Sequence, residues 1–243
     1  MSRKFKPEDF SATIAPVAYF RSPFPTKFGV PRQSGVVKNL PGKIVFVPEF
    51  RRQEAVKGLE GFDYLWLIWG FSGNAGSWKM TVRPPRLGGN RSVGVFASRS
   101  PFRPNGLGLS SVRISSVDMD APDGPVIKVL GADLMDGTPI YDIKPYVRYT
   151  DSHPDAASGF TDNVVWEEAE VVFPERLREM FVRISETDDP EQAVDTLVEA
   201  LAQRPVPQYQ HDEDKIYGMP YMGCDIRFRV ISGIVEVVDI VRN

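Results

Sequence analysis

The sequence predicts a mainly β protein, with an N-terminal β domain over residues 1–149 and a small α/β domain over residues 150–243. In the first part, short runs of β-branched and aromatic residues alternate with turn residues, a pattern typical of a β-barrel or a β-sandwich. In the second part, apolar residues recur at helical spacing before two adjacent β-type runs. These observations place the change of domain near residue 150.

The elements of the N-terminal domain follow from local patterns of apolar residues. The run 64–69, YLWLIW, is continuously apolar and rich in aromatic residues, which predicts a strand buried on both faces. One short helix is predicted near 53–57, and the Gly- and Pro-rich segment 70–90 predicts a surface loop that carries function. Strands are predicted, in chain order, over 13–20, 43–47, 64–69, 92–98, 110–117, 126–130 and 140–143.

The C-terminal domain begins with a polar linker over 151–163 and a predicted strand over 164–173. Apolar residues on one face predict a first helix over 174–184. A second helix is predicted to begin at Asp189-Pro190, because Asp is a favoured N-cap and Pro a favoured first helical residue. It ends at Arg204-Pro205. Two further β-type runs, 225–231 and 234–241, flank Ser232-Gly233 and predict a hairpin.

Composition excludes several classes of protein. The 243 residues are 42% hydrophobic and 25% charged, which is typical of a globular chain long enough to bury a core. No apolar run approaches the ~20 residues of a membrane helix, and the first ten residues lack the apolar segment of a secretory signal. The single cysteine, Cys224, forms no intrachain disulfide, and with only His153 and His211 a His/Cys zinc site is nearly excluded. We expect a soluble cytoplasmic protein without membrane association or structural metal.

Charge is distributed unevenly along the chain, although the formal net charge is only -3. Residues 1–113 contain 18 Lys+Arg and 6 Asp+Glu, whereas the remaining residues contain 11 and 26. No acidic residue occurs from Tyr64 to Val117. A basic half predicts a polyanionic partner, and arginine-rich loops favour bidentate contacts with phosphate or carboxylate. The alternative is that the acidic half folds against the basic half and neutralises it.

The sequence lacks the P-loop, the nucleophile elbow, the zinc-protease motif and the dinucleotide-binding motif. Its loops instead combine Gly, Pro and ionic residues. They read KFGVPRQ at 27–33, VRPPRLGGN at 82–90, SRSPFRPNGLGLS at 98–110 and DLMDGTPIYDIKPY at 133–146. The last two strings, together with YFRSPFPTKFGVPRQ at 19–33, resemble the TsaA-like (YaeB-like, TrmO) family of S-adenosylmethionine-dependent tRNA methyltransferases.

The resemblance is strong over residues 14–147 and weaker beyond them. It implies a compact β-barrel and a homodimer with the cofactor, S-adenosylmethionine (SAM), near the subunit interface. The implied reaction is N6-methylation of threonylcarbamoyl-adenosine at tRNA position 37. This adenosine lies in the single-stranded anticodon loop, so recognition is expected to use stacking and phosphate contacts. No general base is assigned.

The resemblance also implies a set of cofactor-binding residues. Arg32 is expected to hold the methionine carboxylate and Gln33 to hydrogen-bond a polar edge, although their segment also fits an exposed turn. Arg99 either contacts the cofactor or forms a surface ion pair, and Leu109 either packs on the cofactor or lies in the core. Asp136 either contacts the nucleoside or forms an Asp-Gly turn. The full set is Pro31, Arg32, Gln33, Ser72, Gly73, Arg99, Leu109, Asp133, Leu134, Met135 and Asp136.

A second set is expected to contact RNA. Basic residues of the Gly- and Pro-rich region are candidates for phosphate binding, and others support the pocket or the RNA. Trp78 is either a stacking platform or a core residue. The set is Lys79, Arg83, Arg86, Arg91, Arg103, Asn105, Lys144 and Tyr209.

Two segments depart from the family pattern. Many members carry His-Gln where this chain has Ser72-Gly73, so cofactor affinity is expected to differ. The string RPVPQY at 204–209 stands where members often have Asp-Pro-Arg-Pro-x-Tyr. These departures keep two alternatives open: a divergent paralogue that binds SAM but methylates another substrate, and a non-catalytic RNA-binding or regulatory protein.

Overall fold

The computed structural model describes residues 11–74, 76–84, 87, 91–163, 167–206 and 212–243. The helices of this part are α1 (Gln53–Val56), α2 (Arg148–Asp151), α3 (Glu175–Ile184) and α4 (Pro190–Ala202). The strands are β1 (Ala18–Arg21), β2 (Pro41–Phe46), β3 (Tyr64–Gly70), β4 (Thr81–Val82), β5 (Val93–Gly94), β6 (Leu107–Asp118), β7 (Val126–Leu130), β8 (Pro139–Pro145), β9 (Val171–Val172), β10 (Tyr217–Tyr221), β11 (Cys224–Ile231) and β12 (Ile234–Arg242).

Six antiparallel strands close the N-terminal barrel in the order β1-β2-β7-β6-β3-β8, and β8 returns to pair with β1. Strand β3 pairs along its whole length with the first part of β6, from Tyr64 opposite Arg113 to Gly70 opposite Leu107. Because strand residues alternate between faces, every second side chain points into the barrel. The buried core consists of Ala18, Phe20, Ile44, Phe46, Val56, Leu65, Leu67, Trp69, Val112, Ile127, Val129, Ala132, Leu134 and Ile140.

The C-terminal part is a four-stranded sheet in the order β10-β11-β12-β9, with β9 parallel to β12. Helices α3 and α4 bury their apolar faces in the same core as this sheet, with Leu177, Phe181 and Leu197 fully enclosed. No helix in the described ranges combines the length and apolar character that a membrane crossing requires.

The connection between β1 and β2 packs into the core of the C-terminal part rather than into the barrel core. Phe24, Val37 and Leu40 are buried among the residues of the C-terminal sheet and helices. The rings of Phe24 and Tyr221 lie 5.0 Å apart between centroids. The two parts of the chain are therefore packed together through residues 24–40, the segment that contains three predicted cofactor-binding residues.

The predicted fold class is confirmed by the closed barrel and by the smaller C-terminal sheet with its helices. The strand over 126–130 is confirmed with its bounds. The capping prediction is also confirmed, since the Asp189 side chain accepts a hydrogen bond from the Gln192 backbone N–H at 3.1 Å. The division at residue 149 stays a prediction.

Several predicted elements were wrong in extent. The strand over 92–98 reduces to β5, because Ser98 bonds its backbone N–H and its hydroxyl to the Val95 carbonyl and so forms a tight turn. Within 167–173 the strand reduces to β9, and 164–166 lie outside the described residues. Strand β1 begins at Ala18 rather than residue 13. Strand β3 is fully buried on one face only, and β10 was not predicted.

Candidate functional site

Two loops meet at one end of the barrel. The Gly35 N–H donates to the Gly131 carbonyl at 2.8 Å, and the Gly131 N–H donates to the Leu40 carbonyl at 2.9 Å. Gly131 has a φ of +79°, a left-handed conformation that glycine adopts without steric cost. These bonds hold the loop after residue 31 against the segment that follows β7, and so place Ser34 beside Asp133.

A chain of hydrogen bonds leads from the barrel core to the Asp133 carboxylate. The Trp69 indole N–H donates to Ser110 Oγ at 2.9 Å, and the Ser110 hydroxyl donates to Asp133 Oδ1 at 2.6 Å. Because an indole N–H only donates, the hydroxyl proton of Ser110 is directed to the carboxylate. Gly108 makes room for the indole, since a Cβ there would lie 2.3 Å from the Trp69 ring.

Asp133 is half-buried, and desolvation of its carboxyl raises the pKa above the ordinary value. The hydrogen bond from Ser110, the backbone N–H of Ser34 and the positive charge of Arg99 act in the opposite direction and lower the pKa. A desolvated carboxylate surrounded by specific donors is typical of functional sites.

Arg99 completes this cluster from an exposed position. Its Nη1 donates to Gln33 Oε1 at 2.5 Å, and its charge acts on Asp133. The structure therefore brings together Gln33, Arg99 and Asp133, which the motifs place far apart in sequence. We call these three residues the barrel-end cluster.

Pro31 and Arg32 lie at the junction of the two parts of the chain. Pro31 is buried, so the segment is not simply an exposed turn. Arg32 is exposed, and its Nη2 donates to the Arg204 carbonyl at 3.5 Å. This contact joins the segment to the residues that follow α4.

Asp136 is held in a turn. Its carboxylate accepts hydrogen bonds from the Ser22 N–H at 3.0 Å and from Arg21 Nη1 at 3.2 Å. The Thr138 N–H donates to the Met135 carbonyl and closes the turn. These contacts match the turn-forming alternative for Asp136, because its carboxylate fixes the end of β1 against this loop.

The remaining residues of the 133–136 segment differ in exposure. Leu134 is 1% exposed in the barrel core, so its side chain is packed against the core rather than presented to a ligand. Met135 is half-buried, and a Cβ at Gly73 would lie 3.8 Å from its Cε. Ser72 and Gly73 are exposed in a short 3-10 turn. Gly73, which with Ser72 replaces the His-Gln pair of many family members, thus lies beside Met135.

Several large apolar side chains between residues 78 and 109 are exposed. Leu109 is 57% exposed and Trp78 is 49% exposed, so the core alternatives for both residues were wrong. Phe96 and Met80 are exposed to 79% and 72%. Exposed apolar groups in such number are typical of an interaction surface.

Among the described cations between Tyr64 and Val117, none lies within ion-pair distance of a carboxylate, and the charge of Arg99 acts on Asp133 without direct contact. Within the described residues, the ion pairs involve Arg21, Arg51, Lys144, Arg227, Arg229 and Arg242. Lys79, Arg83 and Arg91 are exposed, and the Lys79 Nζ lies 5.6 Å from the centroid of the Phe102 ring. This arrangement leaves the basic region accessible to an anionic partner.

The other predicted RNA-contacting residues lie in different settings. Arg103 binds the carbonyls of its own loop, with 3.1 Å to Ser98, and Asn105 is exposed. Lys144 lies opposite Trp66 and pairs with Asp142 at 3.1 Å. Because Trp66 is about 10 Å along β3 from Trp69, Lys144 is set apart from the barrel-end cluster. Arg86 and Tyr209 lie outside the described residues.

No metal site accompanies these residues in the part of the chain that the structure describes. No group of three or more His, Cys, Asp or Glu side chains is placed there to hold an ion.

Two family models match the chain. Residues 19–152 match the tRNA-methyltransferase O N-terminal domain, and residues 167–243 match the TrmO C-terminal domain. The chain belongs to the tRNA-methyltransferase O family. The family predicted from the loop motifs is therefore confirmed, and so is the prediction of an enzyme of the methyltransferase class.

Relatives agree with the family over most of the chain. A protein of Escherichia coli K12 named tRNA (adenine(37)-N6)-methyltransferase is 38% identical, over 91% of this chain and 94% of its own. RcsF of Pseudomonas aeruginosa PAO1, named as a candidate S-adenosylmethionine-dependent methyltransferase, is 36% identical, over 89% of this chain and 91% of its own. The crystal structure of TrmO from P. aeruginosa is 29% identical with a TM-score of 0.76, and the match covers 99% of this chain and all of that one.

Three residues of the site were missed by sequence reasoning: Ser34, Trp69 and Ser110. Ser110 had a detectable signal, because it shares the inward face of β6 with Val112 and is a polar residue at an apolar position. Such a buried hydroxyl requires a partner. Ser34 acts through its backbone N–H, so its side-chain type carries no signal.

Proposed function

We propose that this member of the tRNA-methyltransferase O family transfers a methyl group from SAM to N6 of adenosine 37 of tRNA, and that this adenosine carries a threonylcarbamoyl group. The barrel-end cluster carries the proposal, because it gathers predicted cofactor-binding residues from three separate loops. The name of the E. coli relative supports the position and the base. The resemblance of the loop motifs supports the threonylcarbamoyl group.

The residues present fit SAM. Arg99 offers a cation suited to its carboxylate, and the Asp133 carboxylate offers negative charge to its sulfonium or amino group. Leu109 and Met135 offer apolar surface. SAM, when bound, supplies a methyl group already activated on a sulfonium centre. The contribution of the protein is to place the adenosine N6 in line with that methyl group and to exclude water.

The exposed basic region supports binding of the anticodon loop. Lys79, Arg83 and Arg91 are placed to contact phosphates, and Trp78 offers a face on which an unpaired base stacks. We propose the same phosphate-binding or supporting roles for Arg86, Arg103, Asn105, Lys144 and Tyr209.

We further propose a homodimer that acts in the cytoplasm. The exposed side chains of Phe96 and Leu109 support self-association, because large exposed apolar groups are typical of interfaces. Sedimentation equilibrium tests this directly: a dimer mass is expected at micromolar concentration, and a monomer mass contradicts it.

Transfer of a labelled methyl group from SAM to tRNA tests the proposed activity, and calorimetry tests the site. Arg99→Ala is expected to weaken SAM binding roughly tenfold or more, because it removes a hydrogen bond to a charged group. Arg52→Ala, which removes an exposed arginine away from the cluster, is the matched control. Unchanged affinity in Arg99→Ala would remove this residue from the site.

The same experiments separate the alternatives that Ser72 and Gly73 leave open. SAM binding without labelled tRNA favours a different methyl acceptor. Binding of tRNA without SAM binding favours an RNA-binding or regulatory protein.

A further inference from the structure

A small pocket lies where the two parts of the chain meet, and Arg32 is one of its lining residues. Its volume is about 140 Å³. One wall comes from the segment before β2 and the other from the end of α4 and the residues after it. The lining includes Lys27, Phe28, Val30, Arg32, Gln203 and Pro205.

The lining combines two cations with apolar surface. Lys27 and Arg32 supply the positive charge, whereas Phe28, Val30 and Pro205 supply the apolar walls. The side-chain amide of Gln203, a lining residue, donates a hydrogen bond to Glu168 Oε1 at 2.9 Å. A site of this composition suits a small anion attached to an aliphatic group.

Arg204 gives a second, independent indication of a ligand. Its Nε is buried and has no hydrogen-bond partner among the described residues. A buried donor without a partner is rare and calls for a group that satisfies it. Arg204 also has a φ of +51°, a left-handed conformation that costs a non-glycine residue energy and concentrates at binding sites. It lies between two lining residues, Gln203 and Pro205, and its carbonyl binds Arg32.

The pocket and the barrel-end cluster are contiguous along the chain. Arg32 lines the pocket, and the next residue, Gln33, accepts the hydrogen bond from Arg99. Because consecutive Cα atoms are only about 3.8 Å apart, the pocket lies beside the cluster at this point of the loop.

We propose that this pocket binds the carboxylate-bearing, amino-acid-sized group on N6 of the substrate adenosine. The proposal rests on the proposed function and names how the site selects its substrate. Lys27 and Arg32 of the lining, with the neighbouring Arg204, bind the carboxylate, and Phe28, Val30 and Pro205 contact the aliphatic part. In this proposal Arg32 serves the substrate, and the methionine carboxylate of SAM is left to Arg99. The volume equals that of about four to five water molecules at ~30 Å³ each, which accommodates an amino-acid group but excludes a purine nucleoside.

The anion has two possible sources: this carboxylate or a backbone phosphate of the tRNA. Two forms of one tRNA distinguish them, one with threonylcarbamoyl-adenosine at position 37 and one with unmodified adenosine. Filter binding in the presence of SAM gives an affinity for each form. The wild-type protein is expected to prefer the modified form roughly ten- to hundred-fold, the range for hydrogen bonds to a charged group.

Lys27→Gln and Arg204→Gln are expected to reduce this preference about tenfold while the affinity for unmodified tRNA and for SAM is kept. Lys57→Gln removes an exposed lysine from the barrel and is the matched control. Urea unfolding of Arg204→Gln checks that the chain still folds, and Lys27 is exposed enough to be replaced safely. A variant that weakens both tRNA forms equally would assign the pocket to a phosphate and overturn the proposal.

Failure of this proposal is distinguishable from failure of the proposed function. Equal affinity of the wild type for both tRNA forms, with methylation retained, overturns the pocket alone. A retained preference without any methylation overturns the activity and leaves the pocket.

Discussion

Replacement of Ser110 by alanine is expected to destabilise the protein in a pH-dependent way. Ser110 accepts from the Trp69 indole at 2.9 Å and donates to Asp133 at 2.6 Å. Ser110→Ala removes a bond to a charged group and leaves the buried indole N–H without a partner. Together these losses correspond to about 2–5 kcal/mol, a large part of the ~5–15 kcal/mol that stabilises a typical domain.

The pH dependence follows from the raised pKa of Asp133 in the folded chain. Between its ordinary value and its folded value, the folded chain binds more protons than the unfolded chain, so stability falls as the pH rises. Ser110 lowers this pKa. Its removal raises the pKa further, and the loss of stability in Ser110→Ala is therefore larger at about pH 8 than at about pH 4, close to the ordinary value.

Urea unfolding at both pH values measures the effect. Ser115→Ala, an exposed serine on the same strand, is the matched control and is expected to change stability by less than about 0.5 kcal/mol. In a Trp69→Phe background the cost of Ser110→Ala is expected to be smaller, because no indole N–H remains to be orphaned. An equal loss at both pH values, or additive single and double variants, would refute the hydrogen-bond chain.

Two further perturbations test neighbouring parts of the structure. Gly108→Ala is expected to lower the free energy of unfolding by about 1–3 kcal/mol, because the added methyl would lie 2.3 Å from the Trp69 ring. Thermal unfolding measures the loss, with Gly94→Ala as the control because the same methyl meets open space there. Equal unfolding midpoints for the two variants would contradict the tight contact. The double variant Lys79→Glu with Arg83→Glu is expected to weaken tRNA binding and to flatten its salt dependence. Each lost phosphate contact reduces the slope of the logarithm of the binding constant against the logarithm of the salt concentration by about one. An unaltered slope in a salt titration would place the RNA surface elsewhere.

The alternation and spacing of apolar residues predicted the regular elements well. The strand 126–130 has the predicted bounds, and the helix after Asp189 has the predicted start, because their signals are local: inward-facing alternation in one and a capping side chain in the other. The helix ends at Ala202, two residues before the predicted end at Arg204. The strand predicted over 92–98 failed because Ser98 offers the backbone a local partner that competes with a sheet.

The relations between distant segments were beyond local patterns. Three residues of the N-terminal part of the sequence are buried in the C-terminal core: Phe24, Val37 and Leu40. Their hydrophobicity predicts burial, and only tertiary packing decides which core receives them.

The candidate site was predicted in part, because loop motifs preserve the residue types that face a ligand. Gln33, Arg99 and Asp133 came from such motifs, and the structure brings them together. The supporting groups, Trp69 and the Ser34 backbone, could not be predicted, since one resembles any core aromatic residue and the other acts through an atom that every residue except proline possesses.

Nucleoside mass spectrometry tests the proposed reaction most directly. The protein is incubated with SAM and a tRNA that carries threonylcarbamoyl-adenosine at position 37, and the digested nucleosides are analysed. A single methyl group added to that nucleoside, and to no other, is the expected result. Fully modified tRNA that gains no methyl group under conditions where SAM binds would contradict the proposed reaction.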